Sequence, residues 1–115
     1  MIVSIPWPHK DLSPNARVHW RVRSKRVAAY RNGAAIHARL EGFAAIKAER
    51  LVVKITFHPP DKRRRDRDNM IAAIKSACDG IADVLRVDDS KWIPTYEVGA
   101  QKQGGAVVFE FEVIA

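Results

Sequence analysis

The chain has 115 residues, of which 47% are hydrophobic and 29% charged, with a formal charge of +7 and a single cysteine. That length suits one domain that buries roughly two-thirds of its surface. The lone Cys78 excludes an intrachain disulfide, argues against a thiolate zinc cluster and fits a reducing cytoplasm.

Residues 2–7 read as a short strand. The apolar start is too short and too interrupted by Pro6 and Pro8 for a signal peptide, and no window approaches a membrane span. Residues 8–26 read as loop, with Pro8, Pro14 and Asn15 as breakers. From Lys10 to Arg31 there are seven basic residues and one acid, Asp11, so this stretch holds six of the seven net charges. His19, Trp20 and Tyr30 lie among them, a mixture suited to phosphates and stacked bases. A solvated basic surface accounts equally well for the charges alone.

Ala29, Gly33, Ile36, Leu40 and Phe43 recur at steps of three and four, which predicts an amphipathic helix over 27–47. Leu51, Val53, Ile55 and Phe57 alternate with Val52, Lys54, Thr56 and His58, a half-buried strand that Pro59-Pro60 ends. A second helix should start near Asp68 or Asn69, either of which can cap it. Its apolar stripe is Met70, Ile71, Ile74, Ala77, Cys78, Ile81, Val84 and Leu85. Residues 93–102 and 106–114 read as a hairpin around Gly104-Gly105. The order β-α-β-α-β-β predicts a single α+β domain, with two helices on one face of a mixed four-stranded sheet.

Residues 59–69 read Pro-Pro-Asp-Lys-Arg-Arg-Arg-Asp-Arg-Asp-Asn. In extended backbone Asp66 and Asp68 would share a face, roughly 7 Å apart at their Cα atoms. Such a pair can reach a hard cation such as magnesium, which prefers oxygen ligands. On the following helix, Lys75 and Asp79 lie within about 20° of Asp68 around the axis. Asp88-Asp89-Ser90 then supplies another acidic pair. Each part also has an ordinary reading: Asp68 as a helix cap, Asp88-Asp89-Ser90 as a turn, Lys75–Asp79 as a surface ion pair, Arg63-Arg64-Arg65 as a solvated run and Cys78 as core. His9, His19, His37 and His58 lack metal-ligand spacing and read as surface or DNA-facing.

The run Arg64-Arg65-Asp66-Arg67-Asp68-Asn69, with Lys75, Asp79 and Asp88-Asp89-Ser90, resembles the RusA family of Holliday junction resolvases, common in phages and prophages. Leu12-Ser13-Pro14-Asn15 before a basic aromatic loop is similar to that family's N-terminal region. The resemblance implies a homodimeric, magnesium-dependent endonuclease of a bacterial host's cytoplasm, for which manganese could substitute. It would nick four-way junctions and other branched DNA in recombination and repair. By motif position, Asp66, Asp68, Asp89 and Lys75 correspond to the catalytic residues, and Asp66, Asp68, Asp88 and Asp89 to candidate metal ligands. Arg17, Trp20, Arg21, Arg23, Lys25, Arg26, Arg63, Arg64 and Arg65 would grip DNA. In the family pattern two residues separate the Asp-Asn pair from the lysine. Here five do, Met70 to Ile74: either a one-turn extension that keeps Lys75 beside Asp68, or a plain surface lysine. The competing readings are a non-catalytic basic nucleic-acid-binding module and a small factor that meets an acidic protein partner.

Overall fold

Strand β2, Arg50–His58, follows the period-two pattern of its sequence: Leu51, Val53, Ile55 and Phe57 are buried and the residues between them are not. The computed structural model describes residues 1–114. Around β2 lie β1 (Ile2–Pro6), α1 (Trp20–Leu40), α2 (Arg67–Ala73), α3 (Lys75–Leu85), β3 (Trp92–Val98) and β4 (Ala106–Ile114). Two 3-10 turns, Lys10–Leu12 and Asp89–Lys91, punctuate the chain.

The four strands form one mixed sheet in the order β1-β4-β2-β3. Strand β4 runs antiparallel to both β1 and β2, whereas β3 runs parallel to β2, with Leu51 opposite Trp92 and Phe57 opposite Val98. The α+β class and mixed four-stranded sheet are as the pattern predicts, but the 93–114 hairpin is not. Because α2 and α3 carry the chain back across the sheet, β3 restarts in the direction of β2 and occupies the outer edge, where Pro94 costs no ladder bond. The following loop crosses the end of β2, donating from Gly99 N–H to the Phe57 carbonyl (2.8 Å) and from Lys102 N–H to that of Pro59 (3.0 Å). Gly104 and Gly105, with φ of 77° and 73°, turn it into β4 on the far side of β2.

Helix α1 begins at Trp20, inside the stretch expected to be loop. His19 caps it, its Nδ1 accepting from Arg21 N–H at 3.1 Å, and the arginines and lysine that follow are good helix formers. It ends at Leu40 rather than 47: Gly42 adopts φ 87°, Gly42 N–H donates to Arg39 and Phe43 N–H to Ala38, a Schellman stop. The expected core stripe also differs. Ile36 and Leu40 are exposed, at 54% and 78%, and Ala29 faces solvent with them. The buried face is instead Ala34, Ala35 and Ala38, small residues that let α1 approach α3 closely.

The second predicted helix is two consecutive helices meeting at Ile74, with the expected apolar positions from Ile74 to Leu85 buried. They pack with Val3, Ile5, Val107, Phe109 and Phe111 from the sheet. Each fully buried large side chain contributes on the order of 1.5–3 kcal/mol. Trp92 belongs to this core, its indole N–H donating to the Val87 carbonyl at 3.3 Å and its ring edge-on to Phe111.

Candidate functional site

Asp66, not Asp68, caps α2. Its backbone is extended (φ −77°, ψ 126°), and one carboxylate oxygen accepts from the N–H groups of Asp68 (2.8 Å) and Asn69 (3.3 Å). Asp68 is therefore already helical, and the extended-strand pairing of Asp66 with Asp68 is replaced by a cap and a first-turn acid. Both lie exposed, where negative charge suits a helix N-terminus.

Two turns further on, Lys75 opens α3. Its ammonium donates to Asp79, one turn along the same helix, at 2.7 Å, and to Asp89, on the 3-10 turn that leads into β3. The βαβ crossover brings Asp89 there by returning the chain beside the first turn of α3. The lysine side chain is 62% exposed, while those of Asp79 and Asp89 are 32% and 23% exposed, so the two acids form a recess under an accessible cation. Hydrogen bonds to Asp79 first and Asp89 second hold the Lys75 ammonium above the ordinary lysine range. Asp88 turns away to cap the 3-10 turn, accepting from Ser90 N–H at 3.0 Å, and its hydrogen bonds with Ser90 lower its pKa. Beneath the cluster, burial pushes the Cys78 thiol up to about 12, with Asp89 adding to the shift, so Cys78 is an inert core residue.

The structure thus joins Lys75 to Asp89 and adds Asp79, whose i,i+4 spacing from Lys75 was the signal for it. It does not gather Asp66, Asp68, Asp88 and Asp89 as a set: among the described residues, no group of three or more His, Cys, Asp or Glu side chains stands close enough to hold a metal ion. What remains is a pair. Asp79 and Asp89 already close on one cation, and one or two carboxylates, with waters or phosphate oxygens, are the usual complement of magnesium. In number and donor chemistry the pair fits that ion.

The basic residues divide into two kinds. Arg17, Arg21, Lys25, Arg26, Arg63 and Arg64 are exposed, as is Trp20, which stacks on His19 and lies under the Arg21 guanidinium, 5.3 Å from its ring centre. Arg23 and Arg65 instead fasten loops. Arg23 donates to the carbonyls of Ser13 (3.2 Å) and Ala16 (2.8 Å), and Arg65 to those of Asp61 and Arg63 and to the Asp61 carboxylate. The histidines have local partners too: His9 and His19 accept from backbone N–H groups, and His58 Nδ1 pairs with the Ala100 carbonyl.

No protein-family model matches the chain. An "uncharacterized protein" of Xylella fastidiosa (strain Temecula1 / ATCC 700964) is 42% identical over 111 residues, an alignment covering 92% of this chain and 72% of the relative. The two belong to one family. No described helix is long and apolar enough to cross a membrane.

Proposed function

We propose that this protein is a magnesium-dependent, structure-selective endodeoxyribonuclease of the RusA type, nicking four-way junctions and other branched DNA. The observation that supports it most is the meeting of Lys75, Asp79 and Asp89 at an accessible edge of a strongly basic chain. Acids that hold a hard cation, beside a lysine and a cationic surface, answer the needs of phosphodiester hydrolysis. When bound, the ion would activate water and neutralise charge on the scissile phosphate. Asp89 with Asp79 would hold it, with Asp66 and Asp68 at the exposed start of α2.

Lys75 has the further part. With those carboxylates holding an ion, its ammonium would be free to stabilise the charge that develops on the phosphate. The exposed Arg17, Arg21, Lys25, Arg26, Arg63 and Arg64 would grip flanking phosphates with Trp20, while Arg23 and Arg65 keep the two basic loops in shape. A two-fold dimer would present two sites to a four-way junction. The test is a synthetic four-way junction incubated with protein and Mg²⁺, then with EDTA. Paired nicks that require the metal support the reading; their absence across branched substrates refutes it.

One observation favours a second reading, a non-catalytic nucleic-acid-binding module. Lys75 bonds both Asp79 and Asp89, so the acids could serve only to fasten α3 to the turn before β3. Tight junction binding without nicking in either Mg²⁺ or Mn²⁺ would select it.

A further inference from the structure

A cleft of about 300 Å³ lies between the N-terminal loop and the arginine-rich loop, lined among others by Trp7, Lys10, Pro60, Arg63, Arg65 and Met70. None of its aromatic or apolar lining belongs to the Lys75 cluster. Trp7 forms one wall and is held firmly: its ring stands edge-on to Phe57 with centroids 6.2 Å apart, and the Arg65 guanidinium lies 5.3 Å from its centre. Gly105 backs it so closely that an added Cβ would come within 2.8 Å of the Trp7 Cβ.

The charge around the cleft is one-sided. Lys10, Arg63 and Arg65 line it and no carboxylate does; Asp61 is hydrogen-bonded to both arginines, and Asp66 and Asp68 lie at the start of α2, between Arg65 and Met70. The acid of the N-terminal loop, Asp11, is paired with Arg26 and His9. A planar, partly aromatic wall under surplus positive charge suits a group with a flat ring and an anionic tail. The volume is at the lower limit for ligand sites, enough for one nucleotide and not for a duplex.

The position of the cleft decides what that nucleotide belongs to. Ala73 lines this cleft and also the smaller neighbouring one that holds Lys75 and Asp79. The two hollows therefore follow one another along the same side of α2 and the start of α3. We infer that the cleft is a specificity pocket for one branch-point nucleotide of the strand whose phosphate lies at Lys75. The base packs against Trp7 and its phosphate turns toward Lys10 and Arg63. This rests on the nuclease reading for the strand's path. It adds a feature by which branched DNA is told from plain duplex: a branch-point nucleotide, whose stacking is already interrupted, enters at lower cost than one inside a continuous stack.

The test is photo-crosslinking in EDTA, so that no strand is cut. A four-way junction carrying 5-iodo-deoxyuridine at each branch-point position in turn is bound to the full chain, irradiated, and the adduct mapped by mass spectrometry. The expected result is an adduct on Trp7 from one branch-point position, with at least tenfold less from a continuous duplex. Lys10→Glu and Arg63→Glu alter exposed side chains; each, with unchanged circular dichroism, should lower the Trp7 adduct at least tenfold. Absence of a Trp7 adduct, or a Trp7 adduct indifferent to both substitutions, overturns the inference. A Trp7 adduct in a protein that never nicks DNA upholds the pocket and sinks the nuclease reading. Nicking without a Trp7 adduct does the reverse.

Discussion

Gly80 of α3 rests against the backbone of Arg31 in α1, so closely that a Cβ on Gly80 would lie 2.1 Å from the Arg31 carbonyl oxygen. The same arginine grips Asp83, one turn along α3, through two hydrogen bonds of 2.9 and 3.0 Å. Backbone contact and ion pair together set how deeply α1 sits against the helix that carries Lys75 and Asp79. Gly80→Ala must push the helices apart, since the obstructing atom is backbone rather than a movable side chain. Overpacking of this kind costs about 1–3 kcal/mol, or roughly 4–8 °C of melting temperature per kcal/mol in a domain of this size. Thermal denaturation of the variant checks it; a melting temperature equal to the parent's would contradict the close packing.

That contact also marks where the sequence was legible and where it was not. Period-two alternation located β2, and the 3.6-residue stripe located α3, because in each case one face is plainly apolar. Helix α1 misled for the opposite reason. Its larger apolar residues, Ile36 and Leu40, point outward, and its inner face consists of alanines chosen by the nearness of α3, which no local pattern reveals. The hairpin error has a similar source: Gly104-Gly105 does mark a turn, but partner choice was decided by the crossover before β3. At the site, the Lys75–Asp79 ion pair was legible from its i,i+4 spacing, whereas the approach of Asp89 to Lys75 depends on how the chain returns into β3. The capping role of Asp66 was hidden because the helix starts at least two residues earlier than expected, and Trp7 by its position in what reads as a plain strand end.

Asp66 separates structural from chemical roles. Asparagine caps a helix about as well as aspartate, whereas alanine costs roughly 0.5–2 kcal/mol at such a position. Asp66→Asn should therefore keep the parent's stability, and Asp66→Ala should lose about 1 kcal/mol in urea denaturation. If Asp66 also faces the ion or the strand, Asp66→Asn loses nicking despite its intact fold. Full activity in Asp66→Asn would confine this residue to capping.

Acid should loosen the fold through two carboxylates outside the cluster. The backbone N–H of Arg63, then its side chain, hold Asp61 down at about 2, and the hydrogen bonds from Arg31 lower Asp83. Both folded values lie below the ordinary 3.8, so their stabilisation is complete above that pH and is lost as pH falls through the folded values. Because both groups are largely exposed, the effect is small. Melting temperatures should change little on their account from about pH 7 to 5 and fall between about pH 4 and 2. In an Asp61→Asn, Asp83→Asn double variant the fall should be shallower; an equally steep fall would assign acid sensitivity elsewhere.

The most direct measurement compares the parent with Asp89→Asn on a synthetic four-way junction, scoring both binding in EDTA and nicking in Mg²⁺. Asparagine preserves the shape of the recess under Lys75 while removing the charge a hard cation needs. The account predicts paired nicks by the parent. For the variant it predicts a nicking rate lower by roughly a hundredfold or more with junction affinity equal or higher, since a repulsive charge is gone. Nicking by Asp89→Asn at the parent's rate, or a parent that binds junctions and never cuts them, would contradict it.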